Sequence, residues 1–229
     1  IFFVLITSLL ISFFSPQPFG SLGTGFSSLF GISNIALFWK SKDYFSEIIT
    51  LNPFTHTWSL GVEEQFYFFL PFIAWTTGFA KGINNGEKRF LFLILLCSIT
   101  SLIFFIKIYP YNQPAAYFLM PLRLWEIGSG CIVFILSKKY INTFKKFEAI
   151  NSSLVLITIL MLMKLNLSSV FSTLIIVILT CLLIVSFKEG TFLYKLLTKK
   201  VSIFIGMISY SLYLWHWGIL SISRWTIGI

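Results

Sequence analysis

Apolar runs long enough to cross a bilayer recur along this chain, and the intervals between them are short and often basic. A crossing helix needs about 20 mostly apolar residues. Seven stretches meet or approach that length: 1–14, 58–77, 90–109, 117–137, 149–165, 168–187 and 203–223. Residues 23–39 form an eighth stretch, interrupted by Gly23, Thr24, Gly25, Ser27, Ser28, Gly31, Ser33 and Asn34. That stretch is expected to lie at the interface or to re-enter without crossing. The expected fold is all-α: a multi-pass transmembrane helical bundle of about seven spans plus one non-spanning or re-entrant segment, in one domain over residues 1–229.

Composition excludes a soluble globular domain. Only 11% of residues are charged and 57% are hydrophobic, whereas a soluble domain carries about 25% charged residues. The chain begins inside an apolar run and stops at Ile229 without a polar tail, so it reads as a fragment truncated at both ends. The first run has no basic flank before it and no small-residue cleavage site after it, which argues against a signal peptide. Cys97, Cys131 and Cys181 each sit inside an apolar run without metal-ligand spacing, and they read as small buried residues. No metal site is expected.

The net charge of +9 is not a nucleic-acid signal, because the basic residues fall in loops between apolar runs. Lys81, Lys88 and Arg89 share one loop; Lys138, Lys139, Lys145 and Lys146 share another; Lys188, Lys195, Lys199 and Lys200 share a third. The alternate loops hold little: Lys40 and Lys42, offset by Asp43 and Glu47, then Lys107, then Lys164. The excess of Lys and Arg in cytoplasmic loops orients membrane proteins. It assigns the three Lys-rich loops to the cytoplasm and the loop before Trp58 to the outside.

Ionisable residues inside a span cost insertion free energy and usually mark function. Here they are Glu63, Glu64, Arg123, Glu126 and His216, with His56 just outside a span. The orientation brings all of them to one layer near the outer face, which implies a polar cavity open to the outside. His56, Ser59, Glu63 and Tyr67 fall near one helical stripe, and Ser209, Tyr213 and His216 share another. Glu64 is turned about 100° from Glu63, so the two carboxyls cannot face one point equally. Arg123 and Glu126 are spaced to pair along their own helix. Plainer readings exist for several of these: a neutralised buried pair for Arg123 and Glu126, an interface anchor for His216, a helix cap for His56.

Three segments carry a resemblance. His56-Thr57-Trp58-Ser59-Leu60-Gly61-Val62-Glu63-Glu64-Gln65-Phe66-Tyr67 closely resembles the most distinctive motif of the acyltransferase family 3 membrane proteins. Tyr117-Phe118-Leu119-Met120-Pro121-Leu122-Arg123-Leu124-Trp125-Glu126 resembles that family's middle motif, and Ile208-Ser209-Tyr210-Ser211-Leu212-Tyr213-Leu214-Trp215-His216-Trp217 its late motif. The resemblance implies an enzyme of the cell (inner or plasma) membrane. It would take an acyl group, commonly acetyl, from cytoplasmic acyl-CoA and deliver it to a hydroxyl of an extracytoplasmic glycan or lipopolysaccharide, with membrane lipid around it and no nucleic acid or bound cofactor. It also implies two further helices upstream of Ile1 with an Arg and a catalytic His, a helix after the late motif, and in many members an extracytoplasmic SGNH-type domain. Gly218 stands where the family often has Pro.

A sugar hydroxyl becomes a good nucleophile when a base removes its proton. The resemblance makes the upstream His the first choice for that base. Within this chain the expected catalytic residues are Glu63, Glu64 and His56, with Glu63 or Glu64 orienting and charge-stabilising that His as a carboxylate does in a triad. The expected substrate-binding residues are Arg123, Glu126, Tyr67, Ser209, Tyr213 and His216. Neither a Gly-x-Ser-x-Gly elbow nor a catalytic-Cys pattern is visible, which favours direct transfer over an acyl-enzyme. The main rival is a transporter or flippase of a lipid-linked or acylated substrate, since intramembrane charges alone suit one; a non-catalytic membrane scaffold or sensor is a second.

Overall fold

The structure, a computed structural model, describes residues 2–14, 18–40, 52–165 and 168–227. The ordered elements are helices: α1 (Phe2–Phe14), α2 (Pro18–Leu29), α3 (Ser33–Lys40), α4 (Thr57–Thr76), α5 (Gly86–Ile108), α6 (Gln113–Phe118), α7 (Met120–Lys139), α8 (Ile141–Phe144), a 3-10 turn (Lys145–Ala149), α9 (Ser152–Leu162), α10 (Ser169–Ser186), α11 (Phe192–Leu197) and α12 (Lys200–Ile227). Lys42, Asp43 and Glu47 lie outside the described residues.

Among the described residues, four helices are long and apolar enough to cross a membrane: Gly86–Ile108, Met120–Lys139, Ser169–Ser186 and Lys200–Arg224. Many of their large side chains face outward, although Phe90, Ile94 and Phe105 of α5 and Leu122, Leu124 and Trp125 of α7 are buried. On α10, Phe171 is 66% exposed and Ile178 is 65% exposed. Such a surface is unfavourable in water and suits hydrocarbon. Helix α9 has 11 residues, so it extends about 16 Å and falls short of a bilayer core. Helices α2 and α3 have 12 and 8 residues, and neither alone is long enough to cross. The turn between them contains Gly31 at φ +66°, a left-handed conformation that glycine adopts without strain.

The stretch 117–137, one continuous run in the sequence, is broken in the structure. Asn112 caps α6 by accepting from the Ala115 N–H at 3.0 Å. Leu119 then turns extended (φ −86°, ψ 123°) while its N–H donates to the Ala115 carbonyl. Pro121 lies in the first turn of α7, where its missing N–H leaves no helical bond unmade. The middle motif is thereby divided between two helices.

The chain forms two compact units. The first comprises Ile1–Thr76, Lys107–Arg123 and Ile208–Ile229. Its core gathers Phe3, Val4, Ile11 and Phe54, with Leu22, Leu214 and Trp215 packed against them. Phe3 meets Phe54 and Trp215 edge to face at 5.9 and 5.1 Å.

The second unit comprises Thr77–Ile106 and Leu124–Met207. Within it α5 and α7 pack closely where Gly128 leaves room for the Ser98 hydroxyl. The Ser101 hydroxyl accepts from the Trp125 backbone N–H at 3.2 Å. Helices α9 and α10 pack against each other.

Candidate functional site

The site is built around the turn that precedes α4. Asn52 shapes it, accepting from the Phe54 N–H at 2.9 Å and donating to Thr24 Oγ1 of α2 at 2.9 Å. Its carbonyl accepts from Trp217 Nε1 of α12 at 3.0 Å. Thr57 Oγ1 donates to the Phe54 carbonyl at 2.7 Å, and Ser33 Oγ of α3 donates to the Thr57 carbonyl at 2.8 Å. Three helices thus hold a short turn whose last residue is His56.

His56 is 8% exposed. Its ring lies among Phe3, Tyr213 and His216, at centroid distances of 5.8, 5.2 and 5.5 Å. Neither ring nitrogen completes a hydrogen bond among the described residues. Burial, reinforced by the facing His216, pushes its pKa down to about 4, although the nearby Leu214 and Pro53 carbonyls act in the opposite direction. At neutral pH His56 is therefore an uncharged imidazole.

Tyr213 ties this turn to α12. Its hydroxyl donates to the His56 carbonyl, which can only accept. That commits the phenolic hydrogen, so in the contact between Ser59 Oγ and the Tyr213 hydroxyl the serine donates. One turn further along α12, His216 Nδ1 lies 2.7 Å from the Tyr213 carbonyl and 3.3 Å from the Leu212 carbonyl. Both partners are acceptors, so Nδ1 carries the hydrogen. Neutral His216 then presents its lone pair at Nε2 on an exposed ring. The first and last motifs of the sequence thus meet in one cluster: His56, Ser59, Tyr213 and His216.

The two carboxylates are exposed on α4 and take different directions. Glu64 lies against Gly31, where even a methyl group would collide with Glu64 Oε2 and would approach its Cβ to 3.2 Å. Glu64 and Gln65 line a cavity of about 460 Å³ with Phe30, Gly31, Phe68, Phe69, Phe72 and Met120. Gln65 Nε2 donates to the Gly31 carbonyl at 2.9 Å and to Asn34 Oδ1 at 2.8 Å, and Asn34 Nδ2 donates to the Phe118 carbonyl at 3.0 Å. Gly61 passes so close to this network that a Cβ there would lie 2.9 Å from Asn34 Oδ1.

Arg123 stacks on aromatic rings, with its guanidinium 5.1 Å from the Trp58 ring centre and 5.6 Å from that of Tyr117. Tyr67 and Ser209 are exposed on α4 and α12. Glu126 falls in the second unit, where its carbonyl accepts from Ser129 Oγ at 2.7 Å. The first unit therefore holds His56, Glu63, Glu64, Tyr67, Arg123, Ser209, Tyr213 and His216.

Sequence reasoning missed Asn52, Trp217, Gln65 and Gly61 as organisers of the site, and counted Asn34 and Gly31 only as interruptions of an apolar run. The available signal was chemical. An amide amid apolar residues must find partners, and a glycine within a motif (Gly61) or within an apolar run (Gly31) invites the question of what lies against it.

The four apolar helices suit a membrane, and the His, Ser and Tyr cluster joins two of the sequence motifs. A family model described as an acyltransferase domain matches residues 1–227, and the chain belongs to that family, acyltransferase family 3. A Staphylococcus aureus (strain COL) protein, provisionally named an O-acetyltransferase, is 31% identical over 211 residues, covering 85% of this chain and 34% of its own length. The peptidoglycan O-acetyltransferase OatA of Listeria monocytogenes is 26% identical over 229 residues, covering 92% of this chain and 36% of its own. The O-acetyltransferase OatA of Staphylococcus aureus (strain NCTC 8325 / PS 47) is 28% identical over 206 residues, covering 85% and 34%. The chain spans about a third of the length of these relatives. No solved structure matches it.

Proposed function

We propose that the protein carrying this chain transfers an acyl group, acetyl by preference, from cytoplasmic acyl-CoA to a hydroxyl of an extracytoplasmic glycan. The observation that carries the reading is the cluster of His56, Ser59, Tyr213 and His216, in which two separated motifs of an acyltransferase family converge. The names of the OatA relatives favour an O-linked acetyl group, and the Listeria name favours a cell-wall glycan. On this reading residues 1–229 are part of one transmembrane acyltransferase domain in the cell membrane, with about seven spans.

In the proposed reaction the acceptor oxygen bonds to the thioester carbonyl carbon, and its proton passes to a base with a lone pair directed at it. His216 Nε2 is such a base within this chain. The C–S bond then breaks, and coenzyme A leaves as a thiolate that takes up a proton. Buried, neutral His56 keeps positive charge off the inner ring, so a proton gained by the pair resides on His216. Glu63 and Glu64 offset that charge. Arg123, held over Trp58 and Tyr117, attracts an anionic part of the donor. Tyr67 and Ser209 contribute polar groups toward substrate, while Tyr213 acts by holding His56.

The test uses full-length protein in sealed inside-out vesicles with a glycan trapped in the lumen. Radiolabelled acetyl-CoA added outside should label that glycan, and His216→Gln should lower the rate about 100-fold. Glu63→Gln and Glu64→Gln should each lower it as well. Luminal uptake of a lipid-linked substrate with acetyl-CoA unconsumed would instead establish a transporter.

A further inference from the structure

The cavity beside Glu64 is larger than an acetyl group requires. Its volume of about 460 Å³ falls within the roughly 300–1,000 Å³ of small-molecule sites. Its walls are Phe30 and Gly31 from the α2–α3 turn, Phe68, Phe69 and Phe72 from α4, and Met120 from the start of α7. Phe30, Phe68 and Phe72 are 64%, 82% and 57% exposed, so the cavity opens sideways onto the surroundings of the unit. For a chain in a bilayer those surroundings include hydrocarbon.

The polar complement of this cavity is narrow. The Gln65 amide nitrogen is already committed to the Gly31 carbonyl and Asn34 Oδ1. Glu64 makes no hydrogen bond among the described residues, and its carboxylate can only accept. A sugar ring lying within the cavity would need several polar partners for its hydroxyls; of the two polar side chains in the walls, Gln65 is engaged through its nitrogen and, at 3.5 Å from Asn34 Nδ2, through its oxygen, which leaves Glu64 as the uncommitted acceptor. An alkyl chain needs none along its length. The group at its end must supply a hydrogen-bond donor to Glu64, which a hydroxyl does. A thioester carbonyl, itself electron-rich, would be repelled there.

We propose that this cavity seats the alkyl tail of a lipid-anchored hydroxyl acceptor, with the hydroxyl-bearing head at Glu64. The identity of the head as an acceptor rests on the acyl-transfer reading; the seat for the tail does not. The acceptor then approaches from within the membrane, its tail along Phe68 and Phe72, so that its hydroxyl arrives at the depth of the motif residues on α4.

The experiment is photolabelling of the full-length protein in nanodiscs with a dodecyl glucoside whose tail carries a diazirine. Label should concentrate on the α4 peptide containing Phe68 and Phe72. Excess dodecyl glucoside should compete it away, and methyl glucoside should not. Phe68→Ser and Phe72→Ser alter exposed side chains that the fold does not depend on, and each should lower α4 labelling about tenfold. Simple partition of the probe into lipid would label all lipid-facing helices alike and ignore both substitutions. Uniform labelling, or α4 labelling indifferent to both variants, overturns the seat. Because the labelling uses no acyl-CoA, the two readings fail separately. Competed α4 label without any acyl transfer keeps the seat and removes the enzyme, and transfer without competed label does the reverse.

Discussion

The Tyr213 hydroxyl of α12 donates to the backbone carbonyl of His56, at the turn before α4, while the Tyr213 ring packs against the ring of His56 at 5.2 Å. One residue thus fixes both the main chain and the side chain of a histidine far away in sequence. Its hydroxyl gives its hydrogen to the His56 carbonyl and accepts one from Ser59. Tyr213 is therefore a positioning residue. Tyr213→Phe keeps the ring contacts with His56 and His216 and removes both the tie to the His56 carbonyl and the acceptor for Ser59. The expected loss of stability is about 1 kcal/mol. The turnover number should fall about tenfold or more, with KM for acyl-CoA little changed. Steady-state kinetics with a thermal unfolding curve on the same preparation checks both.

Buried His56 makes the fold sensitive to acid. Unfolded, its imidazole titrates near 6.5; folded, burial and the facing His216 lower that to about 4. Above pH 6.5 both states hold a neutral ring, and the fold bears no protonation cost. As the pH falls from 6.5 toward 4, the unfolded chain takes up a proton that the folded chain refuses, and stability drops across that window. The loss contributed by this ring approaches roughly 3 kcal/mol by pH 4. Melting temperatures of detergent-purified protein between pH 7.5 and 4 should fall accordingly. His56→Phe should flatten that part of the curve.

Gly31 answers two demands at once. Its φ of +66° suits glycine, and Glu64 occupies the space where a side chain would go. Gly31→Ala should destabilise the protein by about 1–3 kcal/mol and displace the Glu64 carboxylate. Gly20→Ala serves as the control, because a Cβ there meets nothing within 4 Å and φ is not positive. A normal melting temperature for Gly31→Ala would contradict the close approach of Glu64.

Much of this architecture was legible because the bilayer imposes a length on every crossing helix. The apolar runs at 90–109, 168–187 and 203–223 correspond to α5, α10 and most of α12, which are long and apolar enough to cross, whereas the run at 58–77 forms α4, a helix outside that set. The break at Leu119 was not legible, since no Gly or Pro occupies that position and hydropathy continues across it. It depends on the Asn112 cap and on the Leu119 N–H bonding back to Ala115. In the site, the one-stripe argument linked His56 with Ser59, and both meet Tyr213. The same argument carried Glu63 and Tyr67 along, yet both are exposed. His56 precedes the first turn of α4, so the helical period does not govern its direction. Periodicity also says nothing about which amides bridge helices, and Asn34 and Gln65 went unassigned for that reason.

Those two amides yield the last prediction. Asn34 links three segments: it donates to the Phe118 carbonyl at the end of α6 and accepts from Gln65 of α4, while itself belonging to α3. Asn34→Ala leaves the Phe118 carbonyl without that donor in a fully buried position, whereas Gln65 retains the Gly31 carbonyl as a partner. The expected cost is about 1 kcal/mol or more for the bonds that Asn34 loses. Gln65→Ala should cost less, because the Asn34 bond to Phe118 survives it. In a double-mutant cycle the two losses should fall short of additivity by about 0.5–1 kcal/mol, the share belonging to the Gln65–Asn34 bond itself. Strict additivity would mean that the amides act independently, and Gln65 would then owe its role to Gly31 alone. Since Asn34 and Gln65 border the turn that faces Glu64, Asn34→Ala should also slow transfer, and restoring an amide with Asn34→Gln should not recover it, because the longer side chain cannot satisfy both partners in the space that Gly61 leaves open.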